Sequence, residues 1–178
     1  MKNMLFVAAN VFAFASGVQA HIVLDNPSAV AGSYYRGALK VGHGCSGSPV
    51  KQVIVNIPEG VQGAKPMPKA GWQIEIRRKP LTKPYVSHGR TVTEDVSEIS
   101  WTARTPDDYL QDVHYDEFVV SAKLPEVPGK LYWKTSQVCE QGRIDWYDVP
   151  ADGAAKPKSP AAVLEIKAKE GGHAHHAH

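Results

Sequence analysis

Short runs of alternating apolar and polar residues recur along this chain, and they constrain its fold more strongly than any other feature. Apolar side chains take every second position from Trp72 to Ile76 and again from Phe118 to Leu124. A period of two residues places such side chains on one face of a β-strand. No segment of helical length carries an apolar stripe with the helical period, and the 13 prolines oppose long helices. The pattern therefore predicts an all-β protein.

Further runs of the same kind extend the strand prediction over most of the chain. They lie at 21–25, 34–41, 52–57, 91–101, 131–138, 143–149 and 162–168. Segments rich in proline and glycine are expected to be connections, at 58–71, 78–90 and 102–112. Eight or nine short strands in roughly 150 residues are typical of an antiparallel β-sandwich. A chain of 178 residues suits one such domain.

The first 20 residues have the composition of an export signal. Lys2 precedes an apolar run at 5–15, and Val18-Gln19-Ala20 is a small-x-small cleavage site. We expect cleavage between Ala20 and His21, which makes His21 the first residue of the mature chain. No later segment has 18 or more consecutive apolar residues. The sequence therefore predicts an exported protein, periplasmic or extracellular, without a membrane span.

Two cysteines, Cys45 and Cys139, agree with export. An even cysteine count in an oxidising compartment predicts a disulfide, and no C-x-x-C motif points to a metal site instead. The formal charge of +2 gives no electrostatic footprint for nucleic acid or for an anionic membrane.

A histidine at the first position of a mature chain is itself a chelating group. The free α-amine and the imidazole Nδ1 of His21 can bind one metal ion together, and the second bond forms at high effective concentration. Two neutral nitrogens suit Cu(II), which favours tetragonal nitrogen and oxygen coordination and leads the divalent affinity order. A histidine that stands there by chance is the alternative interpretation.

Any further ligands have to be imidazoles or carboxylates. Cleavage leaves Met67 as the one remaining methionine, and the cysteines are expected to be oxidised. A thioether-rich site for Cu(I) is therefore excluded. The remaining candidates are His43, His88, His114 or an acidic residue.

Two residues near apolar strand positions have both a structural and a metal-related interpretation. Glu117 points to the face opposite Phe118, where it is either paired with a lysine or arginine or acts as a metal carboxylate. Trp146 shares a face with Ile144 and is either a core residue or an aromatic wall beside a cation. The pattern alone leaves both choices open.

A set of short motifs occurs in a characteristic order across residues 21–150. The motifs are Ala20-His21-Ile-Val-Leu, Gly32-Ser-Tyr-Tyr, His43-Gly-Cys45, Val55-Asn-Ile-Pro-Glu-Gly60, Lys65-Pro-Met-Pro, Gly71-Trp72, His88-Gly-Arg-Thr-Val-Thr-Glu94, Tyr115-Asp-Glu117-Phe118 and Trp146. No single motif is specific, but their order and spacing are. In this combination the chain resembles the YcnI-like family of secreted copper-binding domains.

The resemblance implies an immunoglobulin- or cupredoxin-like β-sandwich, here spanning 21–168, that binds Cu(II) through a single-histidine brace. His21 matches the histidine of the brace, Glu117 the carboxylate ligand, and Trp146 the tryptophan beside the metal. The family is thought to serve copper homeostasis as metallochaperones or storage proteins, which implies that the chain is not an enzyme. Other periplasmic copper carriers or membrane copper transporters are the implied partners.

The chain also departs from some relatives. It carries the Cys45/Cys139 pair, and residues 169–178 form a histidine-rich end for which we expect a flexible, accessory metal-binding tail. The tail histidines are His173, His175, His176 and His178. A chance polar end is the alternative.

Two other functions fit the same N-terminus. A copper-dependent polysaccharide monooxygenase also begins with histidine, but it needs a second histidine ligand, for which His43, His88 and His114 are the candidates. A secreted interaction module without metal predicts that loss of His21 changes nothing measurable.

Overall fold

The structure is a computed structural model and describes residues 21–151 and 157–169. The predicted export signal, the tail histidines and the loop centre at 152–156 lie outside the described residues. No helix in the described ranges has the length and hydrophobicity that crossing a bilayer requires.

Twelve β-strands and one 3₁₀ turn, Pro106–Asp108, make up the regular structure of the described residues. The strands are β1 (Val23–Leu24), β2 (Ser28–Val30), β3 (Tyr34–Val41), β4 (Val50–Asn56), β5 (Gln62–Pro66), β6 (Trp72–Ser87), β7 (Arg90–Ala103), β8 (Asp116–Lys123), β9 (Gly129–Trp133), β10 (Thr135–Cys139), β11 (Arg143–Trp146) and β12 (Ala162–Lys167). The all-β fold that the alternation predicts is confirmed.

The strands form three sheets. A four-stranded sheet has the order β1-β3-β8-β5, a five-stranded sheet the order β11-β10-β4-β7-β6, and a small sheet the order β2-β12-β9. Among the strand pairs of the described residues, β12 with β2 alone is parallel, and the others are antiparallel.

Aromatic side chains join the two larger sheets. Phe118 of β8 lies 5.1 Å from Trp72 of β6 and 5.6 Å from Trp101 of β7, measured between ring centroids. Both contacts are edge-to-face, the arrangement that the charge distribution of aromatic rings favours. Phe118 and Trp101 are fully buried, so this cluster forms the centre of the sandwich.

The predicted disulfide is present and fixes the loop between β3 and β4 to the five-stranded sheet. Cys45 lies in this loop, and Cys139 ends β10 of that sheet. The bond joins residues 94 positions apart, so it closes a long loop in the unfolded chain.

The largest error of the sequence prediction concerns the proposed connection at 78–90. Strand β6 continues to Ser87 and forms a long hairpin with β7. Because β6 is the edge strand of its sheet, Pro80 and Pro84 are tolerated, since an edge position needs no second ladder hydrogen bond. The pairing shifts register between Pro80 and Tyr85, which marks a bulge in the edge strand.

Two smaller errors also have a physical reason. Strands β2 and β5 are missing from the prediction because both are short, and β5 lies in the proline- and glycine-rich segment at 58–71. The single strand predicted at 131–138 is in fact β9 and β10, which break at Lys134 and enter different sheets.

Candidate metal centre

His21 lies at one end of the four-stranded sheet, two residues before β1. Strand β1 pairs with β3 so that Val23 faces Lys40, and the same register continued puts His21 level with Gly42. Ile22 is 2% exposed, whereas the His21 side chain is exposed. The buried neighbour anchors the backbone, and the imidazole stays accessible to solvent.

Trp146 forms the wall against which the His21 ring packs. It is the last residue of β11 and is fully buried. The two ring centroids are 5.5 Å apart and the ring planes meet at 62°, an edge-to-face contact. The two residues that the sequence analysis connects through a metal are therefore neighbours, while the role of Trp146 beside a metal stays a prediction.

A buried glutamine fixes this indole, and sequence reasoning missed it. Gln137 Oε1 accepts a hydrogen bond from Trp146 Nε1 at 3.1 Å, and Gln137 Nε2 donates to the backbone carbonyl of His43 at 2.5 Å. Gln137 is 1% exposed and its neighbours Thr135 and Ser136 are fully buried. Because these three consecutive polar residues are all buried, they do not follow the alternation of buried apolar and exposed polar residues. The sequence pattern therefore does not predict their burial.

Glu117 lies near the same end of the sheet and has two polar partners. Its Oε1 accepts a hydrogen bond from the Tyr115 hydroxyl at 2.5 Å, and its Oε2 pairs with Arg36 Nη2 at 3.4 Å. The bond to Glu117, aided by burial and the charge of the carboxylate, raises the pKa of Tyr115 to about 12. The Tyr115 hydroxyl therefore remains a donor across the neutral pH range.

The ion pair between Arg36 and Glu117 is a weak constraint. The two side chains are 55% and 28% exposed. Exposed pairs of this kind contribute about 0–1 kcal/mol to stability, because water screens them and two long side chains lose freedom. A stronger cation can therefore compete with Arg36 for Glu117 at little cost.

Strand register relates Glu117 to the N-terminal strand. Lys40 of β3 faces Val23 on one side and Glu117 on the other. Side chains that face each other across strands point to the same side of the sheet, and strands lie about 4.8 Å apart. The structure thus brings His21 and Glu117 to the same end of one sheet, but two strands apart.

Asp25 is a second carboxylate of this region that the sequence analysis did not single out. Its Oδ1 pairs with Lys40 Nζ at 2.8 Å, and the hydrogen bond from Lys40 holds the pKa of Asp25 below its usual value. The charge of Asp25 also contributes to the raised pKa of Tyr115, so Asp25 lies within electrostatic reach of the Tyr115–Glu117 pair. Its position four residues after His21 is the sequence signal that could have found it.

The other candidate histidines lie at both ends of the sandwich. His43 follows β3, its Nδ1 is 2.6 Å from the Gly44 carbonyl oxygen, and its backbone carbonyl accepts the hydrogen bond from Gln137. His114 precedes β8, so His43 and His114 both lie at the His21 end, where Val41 faces Asp116. His88 lies in the turn between β6 and β7, at the opposite end. Across 21–151 and 157–169, no three His, Cys, Asp or Glu side chains are grouped as metal ligands would be.

Comparison with known proteins gives a family and a fold. The sequence profile of the family described as "Domain of unknown function (DUF1775)", which is the YcnI family, matches residues 21–166. No curated protein matches the chain.

Among solved structures, the chain is similar to an uncharacterised protein from Nocardia farcinica with an immunoglobulin-like fold. The TM-score is 0.65 at 22% identity, over 82% of this chain and 97% of that one. A putative membrane-anchored protein from Corynebacterium diphtheriae aligns with a TM-score of 0.37 at 14% identity, over 82% of this chain and 33% of that one. The first similarity confirms the predicted immunoglobulin-like sandwich.

Proposed function

Because the chain belongs to the DUF1775 or YcnI family, we propose that it is an exported carrier of Cu(II) in copper homeostasis, a metallochaperone or storage protein rather than an enzyme. The observation that carries the proposal is the packing of His21 against Trp146. The exposed His21 imidazole lies two residues before β1, and its ring centroid is 5.5 Å from that of the fully buried Trp146 indole. The family match begins at this same residue.

Export processing supplies the second nitrogen. In the uncleaved chain the backbone nitrogen of His21 is an amide, which is a poor ligand, whereas cleavage turns it into a free amine. The amine and imidazole Nδ1 then bind the copper ion as cargo, in the nitrogen-rich geometry that Cu(II) favours. Trp146 limits access of water from one side.

Glu117 is the proposed oxygen ligand. Its pair with Arg36 is exposed and weak, so a copper ion held at His21 can attract it away. A carboxylate favours Cu(II) over Cu(I), and this preference favours a carrier over an oxygen-activating enzyme. The proposed partners are other periplasmic copper carriers or membrane copper transporters.

The test compares two forms of the protein with one equivalent of Cu(II). The chain beginning at His21 is expected to give a tetragonal electron paramagnetic resonance signal with two nitrogens and one oxygen. The same chain with the His21 α-amine acetylated is expected to bind about 10²–10⁴-fold more weakly, because the amine can no longer coordinate and the chelate is lost. The His88→Asn variant, which removes an exposed imidazole elsewhere, serves as the control and should bind normally.

Three results contradict the proposal. Equal affinity of the acetylated and free chains rules out the amine as a ligand. Three strongly coupled nitrogens indicate the monooxygenase type of site. No tight signal indicates an interaction module without metal.

The role of Glu117 is tested by two variants that are expected to change the Cu(II) affinity in opposite directions. Glu117→Gln should weaken Cu(II) binding about tenfold, whereas Arg36→Gln should strengthen it, because it removes the competing cation. Glu98→Gln is the matched control, since Glu98 also pairs with an arginine, at 3.3 Å from Arg77, and is 25% exposed. A loss of affinity in Glu98→Gln equal to that in Glu117→Gln would assign the effect to general charge.

A further inference from the structure

A cavity of about 240 Å³ lies at the opposite end of the sandwich from His21. Strands β3 and β8 are paired from Val41 and Asp116 to Tyr34 and Lys123. Seven residues at about 3.3 Å each separate the two ends by about 23 Å along the sheet. The cavity is therefore independent of the proposed copper site.

Three basic side chains from three different elements line this cavity. Lys65 comes from β5, Lys123 from the end of β8, and His88 from the turn between β6 and β7. Hydroxyl groups of Tyr34 and Ser121 add polar hydrogen-bonding capacity. These side chains supply hydrogen-bond donors and positive charge, which are the properties of a site that binds an anion.

Two acidic groups near the cavity offset part of this charge. Glu126 pairs with Lys123 at 3.3 Å, but it is 58% exposed and also binds Lys169 at 2.7 Å. Asp95 is buried behind the cavity wall, where its carboxylate accepts hydrogen bonds from the lining residues Tyr85 and Gly63. Among the described residues, Lys65 has no ion-pair partner, so its charge remains available to a ligand.

Asp95 instead holds the cavity in shape. Its Oδ2 accepts hydrogen bonds from the Tyr85 hydroxyl at 2.6 Å and from the Gly63 backbone N–H at 2.8 Å. Tyr85 lines the cavity from the hairpin and Gly63 lines it from β5. One buried carboxylate therefore ties the hairpin to the neighbouring sheet and holds two walls of the cavity together.

His88 occupies its position at a conformational cost. Its φ is +49° and that of Gly89 is +73°, and Ser87 pairs with Arg90 across this two-residue turn. Turns with both central residues at positive φ favour asparagine and glycine. A histidine there is less favourable, and residues held in such conformations cluster at functional sites.

We propose that this cavity binds a phosphate-type oxyanion, free or as a monoester group. A tetrahedral oxyanion offers acceptor oxygens in several directions, which matches basic groups that arrive from three elements. A carboxylate offers two coplanar oxygens and can satisfy fewer of them. Lysine binds phosphate as a point charge and needs no planar fork.

The test measures binding of inorganic phosphate to the mature protein by nuclear magnetic resonance in chloride buffer at constant ionic strength. We expect saturable shifts of the His88 imidazole and of backbone amides in β5 and β8. Acetate at the same ionic strength is expected to give little effect. Absence of saturable binding, or equal binding of acetate, overturns the proposal.

Variants separate a specific site from general electrostatics. Lys65→Gln, Lys123→Gln and His88→Asn should each weaken phosphate binding about 5–10-fold. Asparagine tolerates the left-handed turn, so His88→Asn removes the imidazole without disturbing the hairpin. Glu126→Gln should strengthen binding, because it releases Lys123. The control is Lys130→Gln, an exposed lysine outside the cavity, and an equal loss in this variant contradicts a specific site.

A phosphate monoester distinguishes the two sources of the ligand. Glycerol phosphate that binds as tightly as inorganic phosphate indicates a site open to phosphorylated molecules. Weaker binding of the monoester indicates a site for the free ion. The copper test has a separate outcome, since the His21 amine and Glu117 lie at the other end of the sheet.

Discussion

The two ends of this sandwich are stabilised in different ways. At the His21 end, a disulfide and a buried amide hold Trp146 and the segment after β3, and these neutral contacts are insensitive to pH and salt. At the cavity end, a buried carboxylate and exposed charges hold a bulged edge hairpin. The comparison indicates that the contacts around Trp146 keep a fixed geometry under changing conditions, whereas the exposed ion pairs near Glu117 and the contacts at the cavity end respond to protons and ions.

Removal of the disulfide should have the largest effect on stability, and it should act on the first end. The double variant Cys45→Ala/Cys139→Ala loses a link that closes a long loop, which corresponds to about 4–5 kcal/mol in the free energy of unfolding. Urea unfolding of the oxidised protein and the variant measures the difference. A loss below about 1 kcal/mol would mean that the loop is already constrained without the bond.

The Gln137→Met variant should have the next largest effect. It leaves the fully buried Trp146 indole N–H without its hydrogen-bond acceptor and removes the Gln137 donor from the part-buried His43 carbonyl. Unsatisfied buried groups cost about 1–3 kcal/mol, and we expect about 2–3 kcal/mol in urea unfolding. Gln52→Met is the control, because Gln52 makes a single part-buried bond to Thr102. Equal losses in the two variants would remove the special role of Gln137.

The Asp95→Asn variant should have a smaller effect at neutral pH but a distinct pH dependence. Burial favours the neutral acid, but hydrogen bonds from Gly63, Tyr85 and the Val96 backbone outweigh it and lower the pKa of Asp95 below 3.8. A lowered pKa means that the stabilisation is present above the unfolded-state value and is lost as the pH falls through the folded-state value.

We therefore expect Asp95→Asn to cost about 1 kcal/mol at pH 7 and the difference from the natural protein to shrink near pH 3. Unfolding free energies at the two pH values measure this change. Asp107→Asn alters an exposed carboxylate and is the control. A difference between Asp95→Asn and the natural protein that stays constant with pH would show that the Asp95 carboxylate does not respond to protons as proposed.

The fold could be predicted where one face of a strand is buried and the other is not. Strand β3 matches the predicted range 34–41 because its pattern and its exposure agree. The outer half of β6 could not be predicted, because a strand at an edge tolerates prolines and its exposed residues show no alternation.

The candidate site could be predicted only in part, because some of its contacts join residues that are far apart in the sequence. The assignment of His21 as the first mature residue rests on the cleavage motif and stays a prediction, while the structure shows that the His21 ring contacts Trp146. The partner of Glu117 is 81 residues away in the chain, so no local pattern could distinguish an ion pair from a metal ligand. Gln137 was missed because nothing in the local sequence distinguishes a buried glutamine from an exposed one.

The parallel pairing of β12 with β2 affects the order in which this domain can fold. Strand β12 is the middle strand of its sheet and lies between β2 and β9. Hence strand β2 lacks its backbone partner until β12 has been synthesised. The sheet that contains residues 28–30 cannot form one hairpin after another while the chain is being made. This layer therefore closes late in folding.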